Sequence, residues 1–174
     1  LSSTLERIAV TDELTQVYNY RFLKTALRRE MQRAKRFRQP FALIMADVDG
    51  LKAYNDRFGH LRGSHLLREL AQILSKQVRG MDLIAKYGGD EFTILLVDTS
   101  LESGIQIAER IRAAVAGARF ETRGTASLQV TVSIGVAAFP MHGRGAEGLI
   151  DMADKAMYRS KSLGRDRVCS ATDL

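Results

Sequence analysis

Disulfides are excluded at once: the 174 residues include one cysteine, Cys169, which has no partner for an internal bridge. Its place in the strand-like Arg167-Val168-Cys169 suits packing rather than nucleophilic chemistry. No apolar run approaches the length of a membrane span, and no signal-peptide pattern opens the sequence. A cytoplasmic domain without membrane contact of its own is therefore expected. Linkers rich in Gly-Ser or Pro, internal repeats and low-complexity tracts are also missing, so a 45% apolar chain reads as one domain with a sizeable core. The net charge is +6, and much of the excess lies in Arg28-Arg29, Arg33, Lys35-Arg36 and Arg38. That stretch has the spacing of a solvated helical face and lacks the interleaved aromatics of a single-strand-binding platform, which argues against nucleic acid as a partner.

Hydrophobic periodicity predicts helices over 20–37, 64–78, 101–116 and 146–162, and strands near 41–47, 82–87, 92–97 and 129–138. Leu1 to Val10, with Leu5 and Ile8 on one side and no N-terminal cap, reads as the end of an upstream helix, leaving 11–174 as the domain proper. The order helix, strand, helix, hairpin, helix, strand, helix suits an α/β (α+β) sandwich with helices on a mostly antiparallel sheet.

Chemistry enters at two acidic sites. The apolar strand Phe41 to Ala46 runs into Asp47-Val48-Asp49-Gly50, so carboxylates stand at its C-terminal end. Gly88-Gly89-Asp90-Glu91-Phe92 lies between the apolar runs 82–86 and 93–97, which makes it a hairpin turn carrying two more. Such a turn alone is also an ordinary solvated loop. Beside a second acidic strand end it becomes the way a sheet builds a magnesium site, with few protein oxygens and with water and substrate phosphates completing the shell. Asp47 and Asp49 are read as pointing to opposite faces, so that Asp47 and the Val48 carbonyl serve the metal while Asp49 stays outside the ligand set.

These two motifs, with Asn55-Asp56-Arg57-Phe58-Gly59-His60 between them, Lys161-Ser162-Leu163-Gly164-Arg165 near the end, an opening Asp12-Glu13-Leu14-Thr15, Thr131 to Val136 and Ala153 to Tyr158, resemble the GGDEF family of diguanylate cyclases over nearly the whole chain. The resemblance implies the nucleotidyl-cyclase or polymerase-palm arrangement and a homodimer of such domains. Each would hold one nucleoside triphosphate, whose 3′-hydroxyl attacks the other's α-phosphorus with release of pyrophosphate. Asp47, Val48, Asp90 and Glu91 would hold Mg2+, two ions per site, with Mn2+ as a substitute. Glu91 would complete the second metal position or take a proton, and adjacent acids on a tight turn can exchange those roles. Gly50, where the family usually has a bulkier residue, and Leu51 would offer N–H groups to the triphosphate, and Lys52 a charge. Lys161 and Arg165, four apart and read as sharing one helix face, would clamp the outer phosphates. Leu14 and Leu67 would line the base pocket, and both fit an ordinary core equally well. His60 would touch ribose or phosphate, or serve as a hydrogen-bonded structural histidine.

Asn55 and position 64 read the guanine edge in this family, and position 64 is usually aspartate. Here it is Ser64. A carboxylate only accepts hydrogen bonds, whereas a hydroxyl donates or accepts, so base choice should relax toward both GTP and ATP. Serine at this position resembles the subgroup associated with mixed cyclic GMP-AMP. Ser64 also suits the N-cap of the predicted helix over 64–78. Arg79-Gly80-Met81-Asp82 matches the family's inhibitory site for cyclic dinucleotide product, with Arg110 as a secondary contact, and is equally compatible with a surface salt bridge. Gln16, Tyr20 and Lys86 replace more usual residues, and Lys86 keeps the charge of the common arginine without its planar fork. The competing readings are a catalytically silent cyclic-dinucleotide receptor using Arg79 and Asp82, and a polymerase-like nucleotidyltransferase. An upstream sensory or receiver domain is the expected partner in the same protein.

Overall fold

The computed structural model describes residues 2–120 and 129–174; Leu1 and the side chain of Ile8 lie outside the described set. Helix α1 (Ser2–Val10) leads to a two-residue strand β1 (Tyr18–Asn19). There Asn19 becomes the N-cap of α2 (Tyr20–Phe37), its Oδ1 accepting from Phe22 N at 2.9 Å. Leu23, Leu27, Met31 and Ala34, spaced by three or four, give α2 its buried stripe. The chain then alternates as β2 (Phe41–Val48), α3 (Leu51–Phe58), α4 (His60–Gln77), β3 (Leu83–Tyr87), β4 (Glu91–Leu96), α5 (Leu101–Gly117), β5 (Val132–Phe139), α6 (Ala146–Ser162) and β6 (Arg167–Ser170).

The six strands form one sheet in the order β1-β3-β4-β2-β5-β6. The four inner strands pair antiparallel, while β1 on β3 and β6 on β5 are parallel. The α+β sandwich read from the sequence is therefore the observed fold, with parallel edges added. Strand β2 is buried along all eight residues because both its faces are covered. Ala42, Ile44, Ala46 and Val48 pack into the core that includes residues of α4 and α5. Phe41, Leu43 and Met45 pack into the one that includes residues of α2 and α6. The same alternation places Asp47 on the α6 side, at the end of the strand.

Two expected boundaries shift. The helix expected over 64–78 begins at His60, and a separate helix α3 precedes it. Gly59, at φ +89°, breaks the chain between them, a conformation open to glycine. Ser64 therefore sits in the second turn of α4 and is not its N-cap. Arg165 also leaves its predicted place: α6 ends at Ser162, and Gly164 (φ +118°) and Arg165 (φ 65°) turn the chain away, so Lys161 and Arg165 do not share a helix face.

Candidate active site

The hairpin expected around the two glycines is a three-residue loop, Gly88 to Asp90, closed by the pair Tyr87 and Glu91. Gly88 at φ +64° supplies the left-handed step. Lys86 fastens the loop from beneath: its ammonium donates to the carbonyls of Gly88 (2.7 Å) and Gly89 (2.9 Å) and lies 5.8 Å from the Phe92 ring. Burial pulls its pKa down, and Asp12, Asp90 and Glu91 oppose that shift. Sequence reasoning recorded only that Lys86 keeps a charge; its role as a brace for the turn depends on the fold.

The register of β2 against β4 brings the two acidic sites together. Asp47 stands directly opposite Glu91, and Val48 N donates to Asp90 O at 3.0 Å. The Asp47 side chain is 3% exposed; one carboxylate oxygen accepts from Lys161, and the other, Oδ1, is buried without a hydrogen-bond partner. Burial, then Asp154 and Asp90, push the Glu91 carboxyl up to about 7, with Lys86 opposing. Asp154, on α6, has its own pKa raised by burial and by Asp151. This carboxyl was visible in the sequence only as part of a motif; the packing of α6 on the sheet makes it a neighbour of Glu91.

Asp49 corrects an expectation. Residues two apart in a strand share a face, and Asp49 indeed lies on the same side as Asp47. It accepts from Thr131 Oγ1 (2.8 Å), Ser133 Oγ (2.7 Å) and Asp166 N (3.2 Å), and Ser133 is the cross-strand neighbour of Asp47. Asp49 is set apart from Asp47 by those three donors and not by direction.

A cleft of about 620 Å³ opens between α3, α4 and the hairpin turn. Asn55, Ser64, Leu67, His60, Leu51 and Lys52 line it with Asp90, so seven of the predicted site residues meet in one place. His60 is exposed there, and its ring makes no hydrogen bond among the described residues. Gly50 caps α3 at φ +72°, a conformation that explains glycine where a bulkier residue is usual. Leu14 lies elsewhere, packed at the margin of the core on the α4 and α5 side. Lys161 stays with Asp47, and Arg165 is exposed beyond it.

The position of Asn55 depends on a residue that sequence reasoning missed. Its Oδ1 is buried without a partner, and an added Cβ at Gly63 would lie 1.7 Å from that atom. Gly63→Ala is expected to displace the amide from the cleft. Nucleotide affinity should fall about tenfold to a hundredfold, the worth of one or two strong hydrogen bonds. The thermal midpoint should hold, since alanine suits a helix interior better than glycine. Nucleotide titration and a melting curve on the same sample check both halves.

Arg79, Asp82 and Arg110 are gathered around a separate hollow of about 280 Å³. Asp82 differs from expectation: its side chain is 1% exposed and accepts from Arg79 N (2.9 Å) and Val97 N (3.1 Å) as well as from the Arg79 guanidinium. It positions Arg79, whose side chain remains 49% exposed.

The residues present fit a magnesium ion. A buried, unpartnered carboxylate oxygen on Asp47 and the Glu91 carboxyl on the facing strand, beside Asp90 and Asp154, are hard oxygen donors with charge to neutralise. No group of three or more His, Cys, Asp or Glu among the described residues is arranged around one point, so phosphate and water would supply much of the shell.

Comparison with known proteins agrees with this geometry. The family model described as diguanylate cyclase, GGDEF domain, matches residues 9–167. Response regulator PleD of Caulobacter vibrioides is 41% identical over 169 residues, covering 97% of this chain and 37% of the relative. Diguanylate cyclase DgcP of Pseudomonas aeruginosa is 42% identical over 160 residues, 92% of this chain and 24% of that protein. The chain thus spans 37% and 24% of the length of these relatives. Among solved structures, the GGDEF domain of PA1120 from Pseudomonas aeruginosa superposes with a TM-score of 0.89 at 33% identity, covering 92% of this chain and 94% of that one. The GGDEF domain of DgcB from Caulobacter crescentus, in complex with c-di-GMP, gives 0.88 at 29% identity, covering 94% and 96%.

Proposed function

The chain belongs to the GGDEF diguanylate cyclase domain family, and on that premise we propose that it condenses two molecules of GTP into cyclic di-GMP with release of pyrophosphate. The observation that carries this is the meeting of Asp47 and Glu91 across β2 and β4, with Asp90 at the mouth of a cleft walled by Asn55 and Ser64. Asp47 through its free Oδ1, the Val48 carbonyl, Asp90 and Glu91 would hold Mg2+, which offsets the charge of an in-line phosphoryl displacement. Asn55 Oδ1, unpartnered in its seat against Gly63, accepts from a donor on the base. The first N–H groups of α3 and Lys52 face the phosphates. Lys161 and Arg165 add cationic charge beside Asp47, and Glu91 accepts the hydroxyl proton or completes the metal shell.

Among the described residues each chain offers one cleft of this kind, so the reaction needs two copies facing each other through the cyclase domain, 11–174. The Ser64 hydroxyl makes no hydrogen bond among the described residues and leaves adenine and guanine both acceptable. ATP is accordingly a second substrate and cyclic GMP-AMP a second product. Incubation with magnesium and equimolar ATP and GTP, read by mass spectrometry with Asp90→Ala as control, tests both levels. No product would favour the receptor alternative, and cyclic di-GMP alone would leave the ordinary cyclase. Ser64→Asp is expected to raise the cyclic di-GMP share about tenfold or more; an unchanged ratio removes position 64 as selector.

Cyclic di-GMP should also inhibit through Arg79 and Arg110, which Asp82 and Gln77 hold in place. Arg79→Ala leaves Asp82 two backbone donors and should keep the fold. Turnover that no longer falls at saturating product in this variant is the expected result, and equal inhibition of parent and variant would refute the site.

A further inference from the structure

At the end of the sheet remote from the acidic cluster, where β2 begins and β5 finishes, lies a second cleft of about 500 Å³. Phe41 and Asp47 are six positions apart along β2, about 20 Å of extended chain. Its apolar lining includes Pro40, Phe139 and Pro140, and Phe139 stacks on Phe41 with ring centroids 5.2 Å apart. Three cations complete it: Lys35, Arg38 and Arg144.

These three cations are distinguished by meeting, unpartnered, in one cleft. Elsewhere on α2, Arg28 pairs with Glu147, and Arg33 with Glu30 and Gln39. The side chains of Lys35, Arg38 and Arg144 make no hydrogen bond or ion pair among the described residues, and no carboxylate lines the cleft. Two of them are explained in part by the C-terminal dipole of α2. Arg144 is not, because it comes from the turn after β5. That turn is firmly held: His142 N donates to Ala138 O at 2.8 Å, and Ala138 N donates to His142 Nδ1 at 3.0 Å. Arg38 is fixed too, closing α2 at φ 54° with its N–H on Ala34 O. Three unneutralised charges on a rigid rim over an aromatic and proline floor are the complement of a flat apolar body bearing a phosphate.

We propose that this cleft binds a small aromatic phosphate, with Arg38 and Arg144 on the anion and Phe139 and the prolines against the ring. Phenyl phosphate is the probe. In two-dimensional NMR of the amides, titration should give saturable shifts at Arg38, Gln39 and Arg144 and none at Asn55 or Ser64. Inorganic phosphate should bind at least tenfold more weakly, and Arg38→Gln with Arg144→Gln should weaken phenyl phosphate at least tenfold, with product formation from GTP unchanged. Should the double variant fail to fold, Arg144→Glu alone on its exposed turn gives the same reading. Equal binding of inorganic and phenyl phosphate, shifts centred on Asn55 and Ser64, or unchanged affinity in the variants would overturn the proposal. So would a response only to anionic phospholipid vesicles, which would make the face a membrane contact.

Discussion

Asp47→Asn is expected to give a folded protein that does not turn over. The substitution keeps the shape but removes the charge from the one buried carboxylate oxygen among the described residues that has no protein partner. Loss of metal-assisted charge stabilisation of about 4 kcal/mol corresponds to roughly a thousandfold in rate. The fold should tolerate the change because Lys161, the other half of the ion pair, is 25% exposed and can be rehydrated. Pyrophosphate release measures the first effect. The second is read from melting curves with and without magnesium: the parent should gain stability from the ion, the variant should not. Turnover within tenfold of the parent would place the metal centre elsewhere.

The largest effect on stability is expected far from any charge. Gly135, in the middle of β5, faces the backbone of α6 so closely that an added Cβ would lie 2.1 Å from Ala153 O, 2.2 Å from Met157 N and 2.8 Å from the Ala156 carbonyl carbon. Backbone atoms cannot step aside as a side chain does, so even Gly135→Ala must push α6 off the sheet. A cost of about 3 kcal/mol or more follows. For a chain of this length that lowers the thermal midpoint by roughly 6–12 °C. Calorimetry would show it, and a shift under 2 °C would mean that α6 packs less tightly than described. Gly104 is a milder case, since its Cβ would meet the side chain of Ala42 at 2.9 Å.

What could be read without coordinates, and what could not, divides along physical lines. The helices over 20–37 and 146–162 begin and end where the apolar stripes do, because nothing competes with periodicity there. The acidic strand end and the two-glycine turn were legible as motifs, and only the register of β2 on β4 could make them one site. Two misreadings share a cause, the backbone freedom of glycine. Gly59 lets α3 and α4 meet at a sharp junction and moved Ser64 inside a helix, while Gly164 ends the run that would have stacked Arg165 on Lys161. Asp49 was misjudged in direction, since residues two apart in a strand share a face; what does set it aside, donors from residues 82, 84 and 117 positions away, lies beyond any local pattern. Gly63 carried no signal at all, since its significance is the space it leaves for Asn55.

The halves of the cleft rest on supports of unequal firmness. Asp47 ends a strand hydrogen-bonded on both sides in the interior of the sheet, among amides expected to exchange with solvent slowest of all. Asn55 rides on α3, eight residues long with Leu51 as its one buried side chain, whose amides should exchange early. The end proposed for the phosphates is thus held fast, while the end proposed to read the base should open and close on its own. Occupancy by a nucleotide should then appear as slowed exchange confined to α3, and tightness of binding becomes partly a matter of how often that short helix is whole.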